Sequence, residues 1–258
     1  MIENVKALFR YRSLIAALVV RHLSMRYRGS VLGFLWSFLN PLCLMLVYTL
    51  VFKYYIRFEM ENYAVFLFCG LLPWLWVTSG LIEGSTSIVS SGHLITKSMF
   101  PAHILPTVAV LTTMINFLLS LPLLFIFMAV AGMPLHATLL LLPVLVFLQM
   151  LMLLGLSYIF SALNVHYRDV QHIVGNLLTF VFFLCPILYS VEHVPARFRF
   201  TLDLNPLAAV TRSYHALILD GTLPPLFTVV WLVLFVLLSF LAGNLVFDRY
   251  RESFAELL

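Results

Sequence analysis

The chain has 258 residues, of which 62% are hydrophobic and only 10% are charged, and its mean hydropathy is +1.04. A soluble domain normally carries about a quarter charged residues. The composition therefore excludes an ordinary soluble fold and indicates a membrane protein. The formal net charge is +4, and the placement of the basic residues along the chain is more informative than their sum.

Residues 1–30 predict an amphipathic helix at the membrane surface. At 100° per residue, Lys6, Arg10, Arg21 and Arg28 fall on one stripe, and an apolar arc lies opposite. Such a helix favours the anionic inner leaflet. Packing against other protein on that side is the alternative, and the two can coexist. Because this basic segment has no small-residue cleavage site after a short apolar core, we expect the first span to stay attached.

Six membrane-spanning helices are predicted by length, since about 20 apolar residues cross the hydrocarbon core. Residues 98–167 contain no Asp, Glu, Lys or Arg, and the turn signal at Gly132 to Pro134 divides them into two spans. We therefore expect one all-α transmembrane domain over residues 1–258. The predicted spans are residues 33–57, 63–89, 104–131, 137–163, 171–190 and 226–247.

The Lys and Arg residues indicate on which side the termini lie. Six spans place both termini on one side, and Lys and Arg are enriched in cytoplasmic segments. With the amino terminus inside, ten basic residues are cytoplasmic and five are outside, so both termini are expected in the cytoplasm. The ten are Lys6, Arg10, Arg12, Arg21, Arg26, Arg28, Lys97, Arg168, Arg249 and Arg251, and the five are Lys53, Arg57, Arg197, Arg199 and Arg212.

Several kinds of chemistry have no support in the sequence. No phosphate-binding loop of the GxxxxGK[ST] type occurs, so a separate subunit must hydrolyse ATP if the protein is ATP-driven. No HExxH, CxxC or paired carboxylates occur in a span, which argues against a metal site or a protease. Cys43, Cys69 and Cys185 lie in apolar runs and are expected to pack without a disulfide. Glu83 is the ionisable residue nearest to a functional position in a span, although it could equally snorkel or cap.

Two cytoplasmic loops could contact a partner. Residues 90–103 predict a short helix that ends before Pro101, with an exposed Phe100 suited to a groove on a soluble protein. An ordinary helical connection explains this loop equally well. In the second loop, Asp169 is expected to cap the fifth span, and Arg168 fits the cytoplasmic charge preference. A second partner contact is the alternative.

The outer connection, residues 191–225, is too polar for another pair of spans. Within it, Pro206 to Leu219 reads as a helix of fourteen residues. At 1.5 Å per residue this helix reaches about 21 Å, less than the roughly 30 Å hydrocarbon core. We therefore expect a re-entrant or interfacial helix and a candidate outer gate.

Five aromatic residues could line a pathway for sugars, because aromatic faces stack on sugar rings. They are Trp36, Tyr48, Trp74, Trp76 and Tyr189. The alternative is anchoring at the membrane interface, where Trp and Tyr are common.

Four sequence blocks, in this order and spacing, resemble one known family. RYRGSVLGFLWSFLNPL, LITKSMFPAHILP, NVHYRDV and LNPLAAVTRSYHALILDG are similar to the permease subunit of bacterial ABC exporters for O-antigen, teichoic acid and capsule polysaccharides. The resemblance covers nearly the whole chain. It implies the type-two ABC exporter fold in the bacterial inner membrane, a homodimer, and two copies of a separate ATPase that binds ATP and Mg²⁺. No cofactor of its own and no nucleic-acid partner are implied, and the expected substrate is a glycan on a polyprenyl diphosphate lipid, such as O-antigen.

The same resemblance implies roles for particular residues. The basic cluster would lie where the lipid diphosphate enters, although anchoring at the inner leaflet explains those residues equally well. The implied ATPase contacts are Leu94, Ile95, Lys97, Phe100, Pro101, Arg168 and Asp169; the diphosphate site is Arg21, Arg26 and Arg28; and the outer gate is Asn205 and Pro206 with Arg212 and His215.

Two other functions stay open at this point. A related permease for a drug or a small lipid would use the same scaffold. A membrane enzyme acting on polyprenyl-linked sugars would need convergent carboxylates or a metal site, and only scattered acids are present. We therefore expect a transporter subunit rather than an enzyme.

Overall fold

The computed structural model describes residue 6, residues 8–97 and residues 100–258, without the side chains of Tyr27, Thr96, Lys97 and Ala255. All regular secondary structure in this part is helical, so the all-α prediction is confirmed. The α-helices are α1 (Arg12–Tyr27), α2 (Trp36–Thr49), α3 (Tyr63–Ser90), α4 (Gly92–Lys97), α5 (Ile104–Val130), α6 (Leu142–His166), α7 (Val170–Phe183), α8 (Arg199–Leu204), α9 (Pro206–His215), α10 (Leu226–Tyr250) and α11 (Phe254–Leu257).

Five helical segments in the described residues are long and apolar enough to cross a membrane. Three of them include short turns next to an α-helix: the 3₁₀ turn Gly33–Leu35 and the π-helical turn Leu50–Tyr55 flank α2, the 3₁₀ turn Ala137–Leu141 precedes α6, and the 3₁₀ turn Arg251–Ser253 follows α10. The chain is therefore a multi-pass membrane protein. The five segments are Gly33–Tyr55, Tyr63–Ser90, Ile104–Val130, Ala137–His166 and Leu226–Ser253.

The fifth predicted span contains a shorter helix than expected. α7 ends at Phe183, so it is about 21 Å long at 1.5 Å per residue. The chain continues in turns, and the hydroxyl of Tyr63 donates a hydrogen bond to the carbonyl of Leu188 at 3.0 Å. Because Tyr63 begins α3, the turns carry the chain to that end of the bundle. The predicted helix over residues 184–190 was wrong: after Phe183 the backbone N–H groups of Leu184 and Cys185 bond carbonyls three residues back, and the chain continues in turns.

α3 is the centre of the bundle and packs against α5 and α6. Its side chains Leu67, Phe68 and Cys69 are fully buried. α10 packs on the far side of α6, whereas α2 contacts α3 and α5 from outside and leaves most of its surface exposed. The core therefore lies between α3, α5, α6 and α10, and α2 covers one side of it.

Loops and short helices lie at the two ends of the bundle. The end that we call the basic end carries α1, α4, residues 166–169 and residues 250–258. There, Ile15 and Val19 of α1 are buried against Ile104 and Val108 of α5, while the charges of α1 point outward. The predicted apolar face of α1 thus packs on protein, which is the alternative that the sequence left open.

The opposite end carries the outer connection. The predicted helix from Pro206 is observed as α9 followed by the π-helical turn Ala216–Asp220, and most of its side chains are buried. Gly221 ends this segment with φ of +64°, a left-handed conformation that favours glycine. A short helix buried in protein is what a segment too short to cross the membrane requires.

Candidate functional site

A cavity of about 590 Å³ lies between α2, α3 and α5 and begins at Arg26 on the basic end. This volume is within the usual range for small-molecule sites, about 300–1,000 Å³. Its wall mixes apolar side chains with hydroxyl groups, two amides and the Arg26 guanidinium. The lining residues are Arg26, Ser30, Trp36, Ser37, Asn40, Pro41, Leu72, Leu75, Trp76, Thr78, Ser79, Ile82, Thr113, Asn116, Phe117 and Ser120. We call this space the polar cavity.

The hydroxyl groups on α3 and α5 in the polar cavity donate to carbonyls of their own helices, whereas Ser30 Oγ accepts from Trp36 Nε1 at 3.1 Å. Ser79 Oγ bonds the carbonyl of Leu75 at 2.7 Å, and Thr113 Oγ1 bonds that of Val110 at 2.9 Å. Their protons are thereby used, and each oxygen keeps lone pairs that can accept a hydrogen bond from an occupant.

Trp76 supplies a donor in the same wall. Its side chain is 1% exposed and stacks on Phe117, with ring centroids 5.1 Å apart. The indole Nε1 is buried and has no hydrogen-bond partner among the described residues. Leaving a buried N–H without a partner costs about 1–3 kcal/mol. Because protein encloses this N–H, an occupant of the cavity can accept from it only when the wall moves.

An ion pair lies at the basic end of the polar cavity. Arg26 Nη2 of the α1 carboxyl-terminal turn bonds Glu83 Oε1 of α3, and each side chain is about one-third exposed, 34% and 33%. The sequence singled out Glu83 without a partner, and the structure gives it one. In the described part of the chain, the cavity wall includes Arg26 but not Arg21 or Arg28, which are exposed.

His22 lies between Arg21 and Arg26 in the basic cluster and carries less positive charge than they do. Desolvation, together with the charges of Arg21 and Arg26, lowers the pKa of His22. The positive charge of the cluster at neutral pH therefore rests on its arginines.

A second space, the apolar groove, has a volume of about 320 Å³ and lies between α2, α3 and α7. Tyr48 and Trp74 line it and pack on Phe182, with ring centroids 5.8 Å and 5.6 Å away. Leu75, Thr78 and Ile82 line both the groove and the polar cavity. The same face of α3 therefore lines both spaces.

Four of the five predicted pathway aromatics line these two spaces. Trp36 and Trp76 line the polar cavity, and Tyr48 and Trp74 line the apolar groove. Tyr189 lines neither, and its hydroxyl donates to the carbonyl of Phe183 at 2.9 Å. Since Trp74 and Trp76 are buried, they do not lie exposed at the membrane interface. Contact with sugar stays a prediction for all five.

The first candidate partner loop is only partly accessible. Leu94 and Ile95 are half-buried on α4, whereas the side chain of Lys97 lies outside the described residues. The prediction of an exposed Phe100 was wrong, because its ring is half-buried against the α1–α5 contact. Pro101 follows it and lines a small cavity beside the end of α10.

The second loop presents Arg168 and Asp169 at the surface, where both are exposed. Asp169 holds the amino-cap position of α7, but its side chain makes no capping hydrogen bond, so that prediction was wrong. Asn164 provides the bond instead, with Oδ1 accepting from the backbone N–H of Gln171 at 3.1 Å. The side chain of Asp169 is therefore not committed to the helix end.

The predicted gate residues hold α9 in place. Asn205 Oδ1 caps α9 by accepting from the N–H of Leu207 at 3.0 Å, and Pro206 occupies the first turn, where it needs no donor. Asn205 Nδ2 also donates to the carbonyl of Leu184 at 3.3 Å. These bonds join α9 to the turn that follows α7.

Two more contacts fix the other residues of the gate. Arg212 Nη1 pairs with Asp203 Oδ1 at 2.6 Å. His215 is buried, donates from Nε2 to the carbonyl of Phe66 at 3.2 Å, and packs on the Phe66 ring. Arg212 therefore holds α9 to α8, and His215 holds it to α3.

Sequence reasoning missed the polar residues of the cavity wall. Thr113, Asn116 and Ser120 recur at helical spacing on one face of α5, and Ser37 and Asn40 are three residues apart at the start of α2. This spacing was the available signal, because small polar residues on one face of a span rarely face lipid.

The cavity, the groove and α9 all belong to one matched region. The sequence profile of the ABC-2 type transporter family matches residues 13–219, more than half of the chain. The chain belongs to the ABC-2 type transporter family. This membership confirms the resemblance that the four sequence blocks carried. In the described residues of this ABC-2 protein, no three His, Cys, Asp or Glu side chains group as metal ligands would.

Relatives of this ABC-2 chain match it along nearly its whole length. The O-antigen export system permease protein RfbA of Myxococcus xanthus is 42% identical over 259 residues, 99% of each chain. The protein of the same name from Klebsiella pneumoniae is 32% identical over 246 residues, 95% of each. The polysialic acid transport protein KpsM of Escherichia coli is 25% identical over 244 residues, 93% of each.

Proposed function

We propose that this protein is the membrane-spanning subunit of an ATP-driven exporter that moves a lipid-linked polysaccharide of the O-antigen type from the cytoplasm across the bacterial inner membrane. The observation that carries the proposal is the 42% identity, along 99% of both chains, with an O-antigen export permease. The related drug or small-lipid permease has no comparable support among these relatives.

Energy for export would come from two copies of a separate ATPase that binds ATP and Mg²⁺. The basic end offers the contacts: α4, which carries Leu94 and Ile95, and the exposed Arg168 and Asp169. Placing this end in the cytoplasm agrees with its excess of Lys and Arg. Both termini of the chain would then be cytoplasmic.

The polar cavity has the chemistry for the headgroup of the lipid-linked substrate. A diphosphate would compete with Glu83 for Arg26, because charge-assisted bonds from Arg to phosphate oxygens are strong and often bidentate. Arg21 and Arg28 would add to the attraction from the exposed surface of the cluster. Trp36 and Trp76 would offer aromatic faces to the sugars.

A homodimer would cover the open side of the apolar groove. The groove lies between α2 and α7, and large apolar side chains are exposed beside it, among them Leu46, Leu177 and Phe180. A second copy packed there would place Tyr48 and Trp74 of each subunit along a shared path. α9, with Asn205, Pro206, Arg212 and His215, would close this path on the outer side.

The test is complementation in a bacterium whose own O-antigen permease has been deleted. The chain is expressed with and without the ATPase subunit of an O-antigen exporter, and surface O-antigen is measured by immunoblot of intact cells. We expect surface glycan only when both are present. Accumulation of glycan inside the cell, with the chain inserted and the ATPase bound, would contradict the proposal.

A second arm separates a polysaccharide from a smaller cargo. Changing Trp36, Tyr48, Trp74 and Tyr189 together to Ala should abolish glycan export while the protein still inserts in the membrane. Export that persists would favour a cargo other than a glycan.

A further inference from the structure

The last residues of the chain pack against the bundle at the basic end. After α10, the 3₁₀ turn Arg251–Ser253 leads into α11. Phe254 is 0% exposed and lies among Ile88 of α3, Tyr158 of α6 and Phe247 of α10. We call residues 250–258 the carboxyl-terminal clasp.

The clasp touches both candidate ATPase loops. Ser253 Oγ lies 3.1 Å from Nε2 of His166, the last residue of α6, and the His166 and Tyr250 rings are 4.7 Å apart. At the other loop, a Cβ placed on Gly92 would lie 3.3 Å from Cβ of Leu258. The clasp therefore spans the distance from the start of α4 to the loop that carries Arg168.

α4 depends on such support. It has only six residues, and an isolated helix of that length is not stable in water. Ile95 packs against the same cluster that buries Phe254, and Leu258 covers Gly92. The clasp therefore contacts both α4 and α6, in addition to the direct chain connection between α3 and α4.

We infer that the clasp is a positioning element for coupling: it holds α4 and the 166–169 loop in one fixed arrangement, so that an ATPase that moves one of them moves both. The inference rests on the proposed function, since it needs an ATPase at this end. Ser253, Phe254 and Leu258 act through α4 and His166 and need not touch the ATPase.

The geometry is tested first, without any partner. In a Cys43→Ala background, Gly92→Cys with Leu258→Cys places two Cβ atoms about as close as a disulfide needs, roughly 3.5–4.5 Å. We expect mild oxidation of membranes to form an intramolecular disulfide that mass spectrometry detects, and neither single variant to form it. No cross-link would overturn the inference. Export in the cross-linked protein should remain within twofold of the reduced form, and its loss would show that the clasp must open.

Coupling is tested with the ATPase present. Phe254→Ala and Ser253→Ala should each leave ATPase copurification and ATP hydrolysis within twofold of wild type. We expect export to fall at least tenfold for Phe254→Ala and at least threefold for Ser253→Ala. Phe254→Leu should restore at least half of the export, because it refills the apolar site. Leu257→Ala is the matched control, since Leu257 lies on the same helix and is 46% exposed.

The outcomes separate the two proposals. If wild-type chain with its ATPase exports no glycan, the proposed function fails whatever the disulfide shows. If wild type exports and Phe254→Ala exports equally, the positioning role is overturned. If Phe254→Ala loses copurification together with export, and Phe254→Leu does the same, the clasp is a docking or folding element, which also overturns the inference.

Discussion

Where α6 meets α10, the two backbones touch through Gly155, Ser239 and Gly243; where α2 meets α3 and α5, the helices stand apart around a cavity of about 590 Å³. A methyl group on Gly155 would lie 2.5 Å from the carbonyl oxygen of Ser239, and one on Gly243 would overlap the Gly155 backbone. Small residues at such a contact let helices pack closely in a membrane, where van der Waals contact drives association.

The α2 side has few such contacts. Its wall carries hydroxyls, an amide and a buried indole N–H, and α2 itself is mostly exposed. Dense packing resists change, whereas a loosely packed helix beside a polar space can move or admit an occupant at low cost. The α6–α10 contact therefore forms the rigid scaffold of the bundle, and the α2 side forms the candidate site.

The largest effect is expected at the scaffold. Gly243→Ala forces α10 away from α6, because the new methyl group meets backbone that cannot rotate aside. Overpacking of this kind costs about 1–3 kcal/mol. We expect a clear fall in the thermal unfolding temperature of the purified protein and in its yield from membranes.

Gly175→Ala is the matched control for stability. A Cβ on this α7 glycine meets no atom within 4 Å, and Ala favours a helix over Gly by about 1 kcal/mol. Its unfolding temperature should stay or rise. Equal losses in both variants would mean that the α6–α10 contact is not unusually tight, and the comparison would fail.

The scaffold was more predictable than the site. The predicted span at residues 63–89 is observed as Tyr63–Ser90, because hydrocarbon thickness and the absence of charge fix the length of a span locally. The end of α7 could not be found in this way. The turns that follow it are held by the bond between Tyr63 and Leu188, residues 125 positions apart.

For the site, the sequence indicated single residues but not their neighbours. Arg26 and Trp36 stood out by charge and type, whereas the Glu83 partner of Arg26 is 57 positions away and depends on how α1 crosses α3. Asn164, rather than the predicted Asp169, caps α7 for the same reason. Its side chain reaches the start of α7 only once the end of α6 lies beside it. Pairing across elements is a property of packing, which local patterns do not encode.

The second-largest effect is expected at the mouth of the polar cavity. Arg26→Glu and Glu83→Arg each place like charges together, so we expect export to fall about tenfold in each single variant. The double exchange should recover to within threefold of wild type, because the pair is restored in reverse. Stability should change by no more than about 1 kcal/mol, since the pair is partly exposed.

Arg249→Glu is the control for net charge, because Arg249 is exposed at the same end. It should export normally. If the double exchange is as poor as the product of the single variants, Arg26 and Glu83 act independently and the ion pair does not hold the cavity mouth.

A smaller effect, seen in export rather than in stability, is expected inside the cavity. Trp76→Phe keeps a ring against Phe117 but removes the buried N–H that has no partner among the described residues. The gain from removing this N–H offsets the cost of the smaller buried ring, so thermal stability should change little, while glycan export falls about threefold because the ring that lines the cavity is smaller. Unfolding temperature and export are measured on the same preparations.

Trp231→Phe supplies the contrast. Its indole Nε1 donates to the carbonyl of Leu204 at 3.1 Å, so its removal should lower stability by about 1 kcal/mol. A clear loss of stability in Trp76→Phe would mean that this N–H has a hydrogen-bond partner in the folded protein. The cavity wall would then be as well packed as the α6–α10 contact.

The smallest effect is expected where α5 reaches towards α2. Ser120 Oγ donates to the carbonyl of Asn116 at 2.9 Å and, less closely, to that of Ser37 at 3.3 Å. Interhelical hydrogen bonds in membranes average about 0.6 kcal/mol, and this one is long, so Ser120→Ala should cost no more than that. Thr112→Val is the control, because Thr112 Oγ1 donates within α5 to the carbonyl of Val108. A loss above about 2 kcal/mol for Ser120→Ala alone would mean that one polar contact anchors α2, and that helix would then belong to the scaffold.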